Sequence, residues 1–299
     1  LVVVPGEGLR ADAAGRATGA VDTTQHVGER ESQDESDSPA ATLGAEAGND
    51  AGSTAYGTVH VVGLGPGPDA WVTPEASDVL GHVDHVIGYA PYVARVPQRE
   101  GLTRLPSGNT VEVDRGRQAL DLARAGHEVA VVSGGDAGVF GMAAAVFEAA
   151  ESDPAYAAVP IHVVPGVTAA HAASALAGDV LGADHALVSL SDRLKPWDVV
   201  VDRLRACAQA DLALAFYNPR SASRPDQLGL AKNVLLEVLP TDRAVVVARH
   251  VGREQESLSV TTLGEFDPET VDMGCLVMVG AASTRVTSTG RVWTPRYVD

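Results

Sequence analysis

Four loops of this chain carry the glycine, proline and small polar residues from which small-molecule pockets are built. Each follows a short apolar segment that is rich in β-branched residues. The loops cover residues 63–68, 133–138, 165–169 and 217–220. In α/β sheets, ligands bind in the crevice outside the carboxyl ends of the strands. Four such loops at equivalent places therefore predict one pocket that is assembled from separate segments of the chain.

The first loop must be weighed as a dinucleotide site, because Gly63 and Gly65 supply the G-x-G of a Rossmann turn. Pro68 replaces the third glycine of that motif, and Pro66 stiffens the turn where a helix would open to bind a pyrophosphate. The acidic residue that would bind a ribose is also missing, since Asp84 precedes the next strand rather than following it. The pattern disfavours NAD, and a ligand-free strand-to-helix turn is the plainer alternative for this loop alone.

S-adenosyl-L-methionine suits these loops better, because it has no phosphate and needs backbone donors and acceptors at close range. Glycines permit that approach, and Thr168 and Asn218 offer directed hydrogen bonds. The local sequence leaves Asp136 with two interpretations. It accepts a hydrogen bond from the cofactor, or it caps the turn that leads to Gly138.

The elements that would position these loops follow an alternating pattern from residue 58 onward. Short apolar strands separated by helical segments predict an α/β protein with mainly parallel sheets. The predicted strands are residues 59–62, 85–88, 128–132, 161–164, 186–190, 212–216, 244–249 and 276–279. The predicted helices include residues 113–125, 141–150, 168–176, 199–209 and 228–239. Hairpin signals at residues 256–263 and 272–279 predict some antiparallel strands in the second half.

Residues 1–56 differ in composition from the rest of the chain. They hold ten acidic residues against three arginines, and almost no large apolar residues beyond position 4. Such a segment cannot bury enough surface to offset the entropy lost on ordering. We expect a disordered acidic tail that acts as a solvating extension, followed by two domains at residues 57–166 and 167–299.

Composition excludes several classes of function. No apolar run approaches the roughly 20 residues that span a bilayer, and no secretory signal is evident. The two cysteines lie far apart, which disfavours a disulfide scaffold or a metal site and fits the cytoplasm. A net charge of −17 disfavours nucleic acid and anionic membranes as partners. Only two of the 22 basic residues are lysine, and this acidic, lysine-poor composition favours a halophilic host. A GC-rich genome is the alternative explanation of the arginine and alanine bias.

Taken in order, the motifs GPG, GGDAGVFG, PGVTA and YN resemble those of the tetrapyrrole methylase family. Three longer segments resemble its precorrin-3B C17-methyltransferase branch, which includes the cobalt-factor III enzymes. These segments are SGGDAGVFGMA at residues 133–143, SLSDRLKPWDVV at 189–200 and FYNPRSASR at 216–224. The resemblance covers nearly all of residues 57–299. It implies two α/β domains with the S-adenosyl-L-methionine cofactor bound in the cleft between them.

The resemblance also implies which residues contact the cofactor. By motif position these are Pro66, Gly134, Gly135, Asp136, Val139, Thr168, Ala169, Tyr217, Asn218 and Gly252. The chain departs from the family pattern at Gly134, where relatives have serine, and at Phe140, where they have tyrosine. Its residues 280–283 read Gly-Ala-Ala-Ser in place of the family's Gly-Asn-Ser.

The implied reaction is methylation at C17 of precorrin-3B or cobalt-factor III, with ring contraction, in cobalamin biosynthesis. Positioning the reactants in line accounts for much of such a reaction, and ring contraction also moves protons, which requires a general acid or base. Side chains with suitable chemistry for that proton transfer are Asp192, His250, Tyr89 and Ser133. We take Asp192 and His250 as the catalytic candidates, although a helix-capping aspartate and a packed histidine are plain structural alternatives. The substrate carries many carboxylates, which arginine binds well. The candidate partners of those carboxylates are Arg115, Arg193, Lys195, Arg220 and Arg224.

Several alternatives stay open at this stage. A sibling enzyme of the same family would methylate another precorrin carbon or uroporphyrinogen, and another sibling would methylate a protein to form diphthamide. A non-catalytic nucleotide-binding module would use the same loops. The family resemblance further implies a homodimer.

Overall fold

The computed structural model describes residues 2–3, 55–108 and 111–297. The strands are β1 Val2–Val3, β2 Val59–Gly63, β3 His85–Tyr89, β4 Thr103–Ser107, β5 Val129–Ser133, β6 Ile161–Val164, β7 Gly178–Asp179, β8 His185–Ser189, β9 Ala213–Tyr217, β10 Ala244–Arg249, β11 Ser257–Thr262, β12 Cys275–Val279, β13 Arg285–Val286 and β14 Val292–Trp293. The helices are α1 Pro74–His82, α2 Ala90–Val93, α3 Glu112–Arg124, α4 Ala143–Glu151, α5 Ala169–Ala177, α6 Trp197–Gln209 and α7 Gln227–Leu236. Short 3-10 helices lie at Asp69–Trp71, Pro154–Tyr156 and Pro268–Thr270.

The first sheet has five parallel strands in the order β4-β3-β5-β2-β6. Its central strands are almost wholly apolar, as parallel strands covered on both faces are. Alternate residues of β2 and β5 therefore pack into different cores. Val61 and Val131 meet α3 and α4, whereas Val62 and Val132 face α1 and α2.

The second sheet is mixed, with the order β1-β11-β10-β12-β9-β8. Strands β8 and β9 are parallel, and β9, β12, β10 and β11 pair antiparallel in turn. Helices α6 and α7 cover one face around Phe216 and Leu204, and the alanine-rich α5 covers the other around Met278. A small third sheet joins β13, β14 and β7.

Local sequence explains where α1 begins. The Thr73 side chain accepts a hydrogen bond from Ala76 N at 3.2 Å. Pro74 occupies the first helical position, where a backbone N–H would have no partner within the helix, so the missing N–H of proline costs no hydrogen bond. The short 3-10 helix Asp69–Trp71 lies between the loop at residues 63–68 and this helix.

The structure confirms the predicted α/β class, all eight predicted strands and the antiparallel strands of the second half. The sequence prediction omitted β4, because Pro106 interrupts the apolar pattern there. Strand β4 lies at the edge of its sheet, where proline is tolerated. The disorder predicted for residues 1–56 falls almost wholly outside the described residues; Val2–Val3 form the short strand β1 against β11.

Within the described residues, no helix is long and apolar enough to cross a membrane. No group of histidine, cysteine and acidic side chains in the same part of the chain could hold a metal ion.

Candidate active site

Backbone packing joins the first three loops at the carboxyl end of the parallel sheet. Gly65 N donates to Gly135 O at 3.0 Å, and Leu64 N donates to Ser133 O at 2.9 Å. A Cβ on Gly63 would lie 2.7 Å from Gly135 O, and one on Gly166 would lie 2.5 Å from the same oxygen. These two glycines therefore serve the contact of loop with loop, rather than the approach of a ligand.

The Asp136 carboxylate ties the second and third loops together. Its Oδ1 accepts from Gly138 N at 2.8 Å and Val139 N at 3.1 Å, and its Oδ2 accepts from Gly166 N at 2.9 Å. These bonds agree with the interpretation in which Asp136 caps the turn that leads to Gly138. The bond to Gly166 extends that role to a second loop. Asp136 shapes the wall of the pocket by fixing the backbone around it.

Two arginines bind the Gly65-Pro66-Gly67 turn through its carbonyl groups. Arg95 donates to Gly65 O at 2.7 Å, to Leu64 O at 2.6 Å and to Gly67 O at 2.9 Å. Arg253 Nε donates to Pro66 O at 3.0 Å. A Cβ on Gly67 would lie 2.6 Å from the Cα of Gly252, so the loop after β10 packs directly onto this turn.

Tyr217 forms the opposite wall, at the end of β9. Its hydroxyl is hydrogen-bonded to Thr168 Oγ1 and accepts from Ala170 N at 3.0 Å, which fixes the ring against the first turn of α5. Burial raises the pKa of the Tyr217 hydroxyl, an effect partly offset by its bonds to Thr168 and Ala170. The Phe140 ring lies 5.1 Å from the Tyr217 ring and extends this aromatic wall.

Asn218 follows Tyr217 in a left-handed conformation, with φ 52°. Its Nδ2 donates to Ser189 Oγ at 3.0 Å, and its carbonyl accepts from Arg224 Nη1 at 2.9 Å. Asparagine tolerates this backbone region better than most residues. The first of these contacts fixes the fourth loop to the end of β8.

The four loops enclose a cavity of about 250 Å³. Nine of the ten residues that the sequence assigned to the cofactor line it: Pro66, Gly134, Gly135, Asp136, Val139, Thr168, Ala169, Tyr217 and Asn218. The tenth, Gly252, packs behind the lining against Gly67. A more apolar cavity of about 310 Å³ lies beside the same turn, lined in part by Leu64, Leu80 and Val96. We assign the chemistry to the smaller cavity, because the motif loops converge there.

The two proton-transfer candidates lie in different surroundings. His250 lines the cavity, has φ 48°, and its imidazole covers Gly274, where a Cβ would collide with Nε2. Asp192 does not line the cavity, and its Oδ2 accepts from Gln227 Nε2 at 2.9 Å. The structure therefore brings His250, but not Asp192, together with the residues that the sequence assigned to the cofactor.

The five basic residues assigned to substrate carboxylates do not line this cavity. Arg115 is 4% exposed, and its Nε donates to Ser107 Oγ at 2.6 Å. Arg220 Nη2 pairs with Glu269 at 2.6 Å, and Lys195 Nζ donates to Ser189 O at 3.0 Å. Arg224 is 8% exposed and holds the Asn218 carbonyl. Arg193 is exposed, with no hydrogen-bond or ion-pair partner in the described part of the chain.

Sequence reasoning missed several of the side chains that line the cavity. Tyr92, Arg253, Met273 and Cys275 all contribute to the wall. The sequence did offer an indication for Arg253, because this residue directly follows Gly252, which the sequence assigned to the cofactor. Tyr92 packs against Gly134, where a Cβ would lie 2.7 Å from its ring, and only the tertiary structure reveals that contact.

With the geometry established, comparison with known proteins decides the family. The profile of the "Tetrapyrrole (Corrin/Porphyrin) Methylases" matches residues 58–267. The chain belongs to the tetrapyrrole methylase family. The same residues contain all four loops of the cavity, so the family match and the site coincide. Methylation with S-adenosyl-L-methionine is the reaction of this family.

This tetrapyrrole methylase has close curated relatives. It is 44% identical over 246 residues to the precorrin-3B C(17)-methyltransferase of Sinorhizobium, covering 81% of this chain and 97% of the relative. It is 40% identical over 239 residues to a probable cobalt-factor III C(17)-methyltransferase of Salmonella typhimurium, covering 80% and 98%. It is also 47% identical over 247 residues to the cobalamin biosynthesis protein CobIJ of Mycobacterium tuberculosis. That match covers 80% of this chain, and the chain spans about half, 48%, of the CobIJ protein.

Solved structures agree with the fold. The crystal structure of the methyltransferase CobJ superposes with a TM-score of 0.78 at 46% identity, covering 80% of this chain and all of that one. The uroporphyrin-III C-methyltransferase of Thermus thermophilus complexed with S-adenosylhomocysteine superposes with a TM-score of 0.56 at 22% identity, covering 75% of this chain and 97% of that one. The second likeness supports the fold alone.

Proposed function

We propose that this tetrapyrrole methylase transfers a methyl group from S-adenosyl-L-methionine to C17 of precorrin-3B or cobalt-factor III, with ring contraction, in cobalamin biosynthesis. The observation that carries the proposal is the convergence of four separate motif loops on one cavity. The names of the relatives that match over nearly their whole length supply the substrate class.

The cavity has the hydrogen-bonding groups that this cofactor needs. Backbone groups at Gly134 and Gly135, the hydroxyls of Thr168 and Tyr217, and the Asn218 amide are neutral donors and acceptors. A Cβ on Gly135 would have no atom nearer than Ala169 N at 3.8 Å, so a side chain there would extend into the cavity. These residues would hold the cofactor, which supplies a methyl group activated by its sulfonium.

The protein's own contribution is to position the reactants and to move a proton. The rigid loop backbones, held by Asp136 and Arg95, keep the cavity walls in register, which favours an in-line approach of the two reactants. Ring contraction requires proton transfer, and His250 lines the cavity with an imidazole, a group that can both accept and donate a proton.

The proposal is tested by incubating the full chain with methyl-labelled S-adenosyl-L-methionine and either cobalt-factor III or precorrin-3B. We expect a ring-contracted product that carries the label at C17, located by NMR. Label at another carbon, or transfer to uroporphyrinogen only, would identify a sibling activity. Binding of S-adenosylhomocysteine without transfer to any tetrapyrrole would instead favour a non-catalytic module.

A matched pair of glycine variants tests the location of the cofactor. Gly135→Ala places a methyl group in the cavity and strains a residue at φ 75°, so we expect affinity for S-adenosylhomocysteine to fall at least about tenfold. Gly81→Ala adds the same methyl group in α1, where nothing lies within 4 Å, and affinity should stay unchanged. Equal affinities of the two variants would indicate that the cofactor binds elsewhere.

The proposal extends to the organisation and setting of the protein. We expect domains at residues 57–166 and 167–299, a homodimer, and a cytoplasmic location in a halophilic host. The two separate sheets support the division, the free thiols of Cys207 and Cys275 support a reducing compartment, and the acidic composition supports salt adaptation. Light scattering in molar and in low salt tests the dimer and the salt adaptation together.

A further inference from the structure

Arg253 lines the cavity, and two of the three nitrogens of its guanidinium have no hydrogen-bond partner among the described residues. Its Nε donates to Pro66 O at 3.0 Å. Its Nη1 and Nη2 have no hydrogen-bond or ion-pair partner among the described residues, and its side chain is exposed. The side chain is thus anchored at one end, and its two terminal nitrogens are free to bind a ligand.

A second cation, Arg95, binds other carbonyl groups of the same turn. The three carbonyl bonds of Arg95 occupy both of its terminal nitrogens. The pKa of Arg95 is lowered, first by burial and second by the charge of Arg253, and Asp69 offsets part of this. Two positive charges therefore lie close to the Gly65-Pro66-Gly67 turn, and neither forms an ion pair with a carboxylate of the described chain.

The other basic residues near the motif loops have partners or lie outside the cavity. Arg220 pairs with Glu269, Arg224 holds the Asn218 carbonyl, and Lys195 binds two carbonyl groups. Of the lysines and arginines in the described chain, only Arg253 lines the cavity. A carboxylate inside the cavity would find its cationic partner there.

We propose that Arg253 binds a ligand carboxylate through Nη1 and Nη2, and that Arg95 holds the turn on which Arg253 rests. The planar guanidinium matches a carboxylate with two parallel hydrogen bonds. The inference deepens the proposed function and rests on it, because both reactants of that function carry carboxylates. The carboxylate belongs either to the amino-acid end of the cofactor or to a side chain of the tetrapyrrole.

The first arm of the test measures binding by calorimetry. The ligands are S-adenosylhomocysteine and the analogue that lacks its carboxylate, and the proteins are the wild type, Arg253→Gln and Arg253→Lys. Loss of a charged hydrogen-bond pair predicts a fall of about 10- to 100-fold for a ligand whose carboxylate binds here, with partial retention in the lysine variant. The matched control is Arg117→Gln, which removes an exposed helix arginine whose one ion pair with the described residues is with Asp114.

The second arm measures KM and kcat for the tetrapyrrole with the same proteins. A selective loss of S-adenosylhomocysteine binding, with the carboxylate-free analogue unaffected, assigns the cofactor carboxylate to Arg253. Unchanged cofactor binding with a raised tetrapyrrole KM and an unchanged kcat assigns a substrate carboxylate.

Three results would overturn the inference. These are no change in either arm, equal weakening of both cofactor analogues, or the same effect in Arg117→Gln. Wild-type protein that binds S-adenosylhomocysteine but transfers no methyl group would overturn the proposed function, and the first arm would then decide the role of Arg253 alone. Unfolding midpoints of all variants separate a folding defect from a binding defect.

Discussion

Strained residues of this protein concentrate at the cavity. The described chain has four non-glycine residues with positive φ, and three of them, Phe140, Asn218 and His250, line it. Such conformations cost of order 1–3 kcal/mol and persist where surrounding contacts over-determine them. Each of the three side chains is held by a contact of its own, with Tyr217, Ser189 and Gly274 respectively.

Two substitutions of His250 separate the effect of its backbone conformation from the effect of its imidazole. His250→Gly accepts φ 48° without strain and should be more stable than His250→Ala by about 1 kcal/mol, measured by urea unfolding. If the imidazole moves a proton, both variants lose at least about 10²-fold in kcat, with cofactor affinity retained in the glycine variant. Full turnover by His250→Gly would remove His250 from the chemistry. Asp192→Ala, outside the cavity, should turn over normally.

We expect Asp136 to contribute to the free energy of unfolding rather than directly to the reaction. Asp136→Ala leaves three backbone N–H groups without their acceptor, and each such group costs about 1–3 kcal/mol when buried. We expect the free energy of unfolding to fall by about 3 kcal/mol in urea titrations, given the partial exposure of the loop. Asp136→Asn keeps the Oδ1 acceptor but turns an amide towards Gly166 N, so it should lose less. Equal stability of the alanine variant and wild type would contradict this account.

At the scale of elements, the site depends on loops that pack backbone against backbone. The parallel sheet brings the carboxyl ends of β2, β5 and β6 side by side, so the loops that follow them must share a narrow space. Gly63, Gly135 and Gly166 meet in that space, and Gly67 meets Gly252 where the second sheet approaches. The cavity is the gap left between these contacts.

Glycine-to-alanine substitutions in this contact test the packing. Gly63→Ala and Gly166→Ala force a methyl group against the carbonyl of Gly135, which is backbone and cannot rotate away. Overpacking of this kind typically costs 1–3 kcal/mol, so we expect a loss of about 2 kcal/mol in the free energy of unfolding. Gly81→Ala in α1 should instead add up to about 1 kcal/mol. A neutral result at Gly63 and Gly166 would show that the loops can separate at little cost.

At the scale of the whole molecule, acidity dominates the charge, but the cavity wall departs from it. The chain carries a net charge of −17. Arg95 and Arg253, in contrast, place positive charge at the turn between the first and second sheets. Negative charge elsewhere would repel a polyanionic substrate at long range, and screening by salt weakens that repulsion. Local positive charge at the cavity is the arrangement that such a substrate requires.

Stability should fall in mild acid because of His85, at the opposite end of the parallel sheet. Burial lowers the pKa of His85 from 6.5, and the nearby charge of His127 lowers it further, while Asp84 acts in the other direction. The unfolded chain thus takes up a proton at about pH 6.5, and the folded chain does so only at lower pH. As pH falls below about 6.5, the unfolded state binds more protons and the free energy of unfolding decreases.

The measurement compares urea unfolding at about pH 7.5 and about pH 5.5. His85→Gln should lose less stability between the two than wild type does. The control is His82→Gln, at a side chain that is 78% exposed in α1, and it should follow the wild type. An identical pH dependence in wild type and His85→Gln would exclude His85 as the cause.

The sequence by itself determined the class of the fold and the four loops that contribute to the cavity. Apolar β-branched runs separated by helical segments define strands locally, since side-chain burial and backbone preference agree there. All eight predicted strands form, and the motif loops that follow them meet at one cavity. The family resemblance seen in those motifs is confirmed by the match over residues 58–267.

Only the tertiary structure decided what individual residues do. Asp136 shapes a loop, Gly63 and Gly166 pack against Gly135, and Arg115 is buried inside the first half of the chain. Arg253 reaches Pro66 across 187 positions of sequence. The physical reason is that a hydrogen bond or a close approach depends on where distant segments meet. Local sequence fixes the type of each side chain, but its partner is set by the packing of the two sheets.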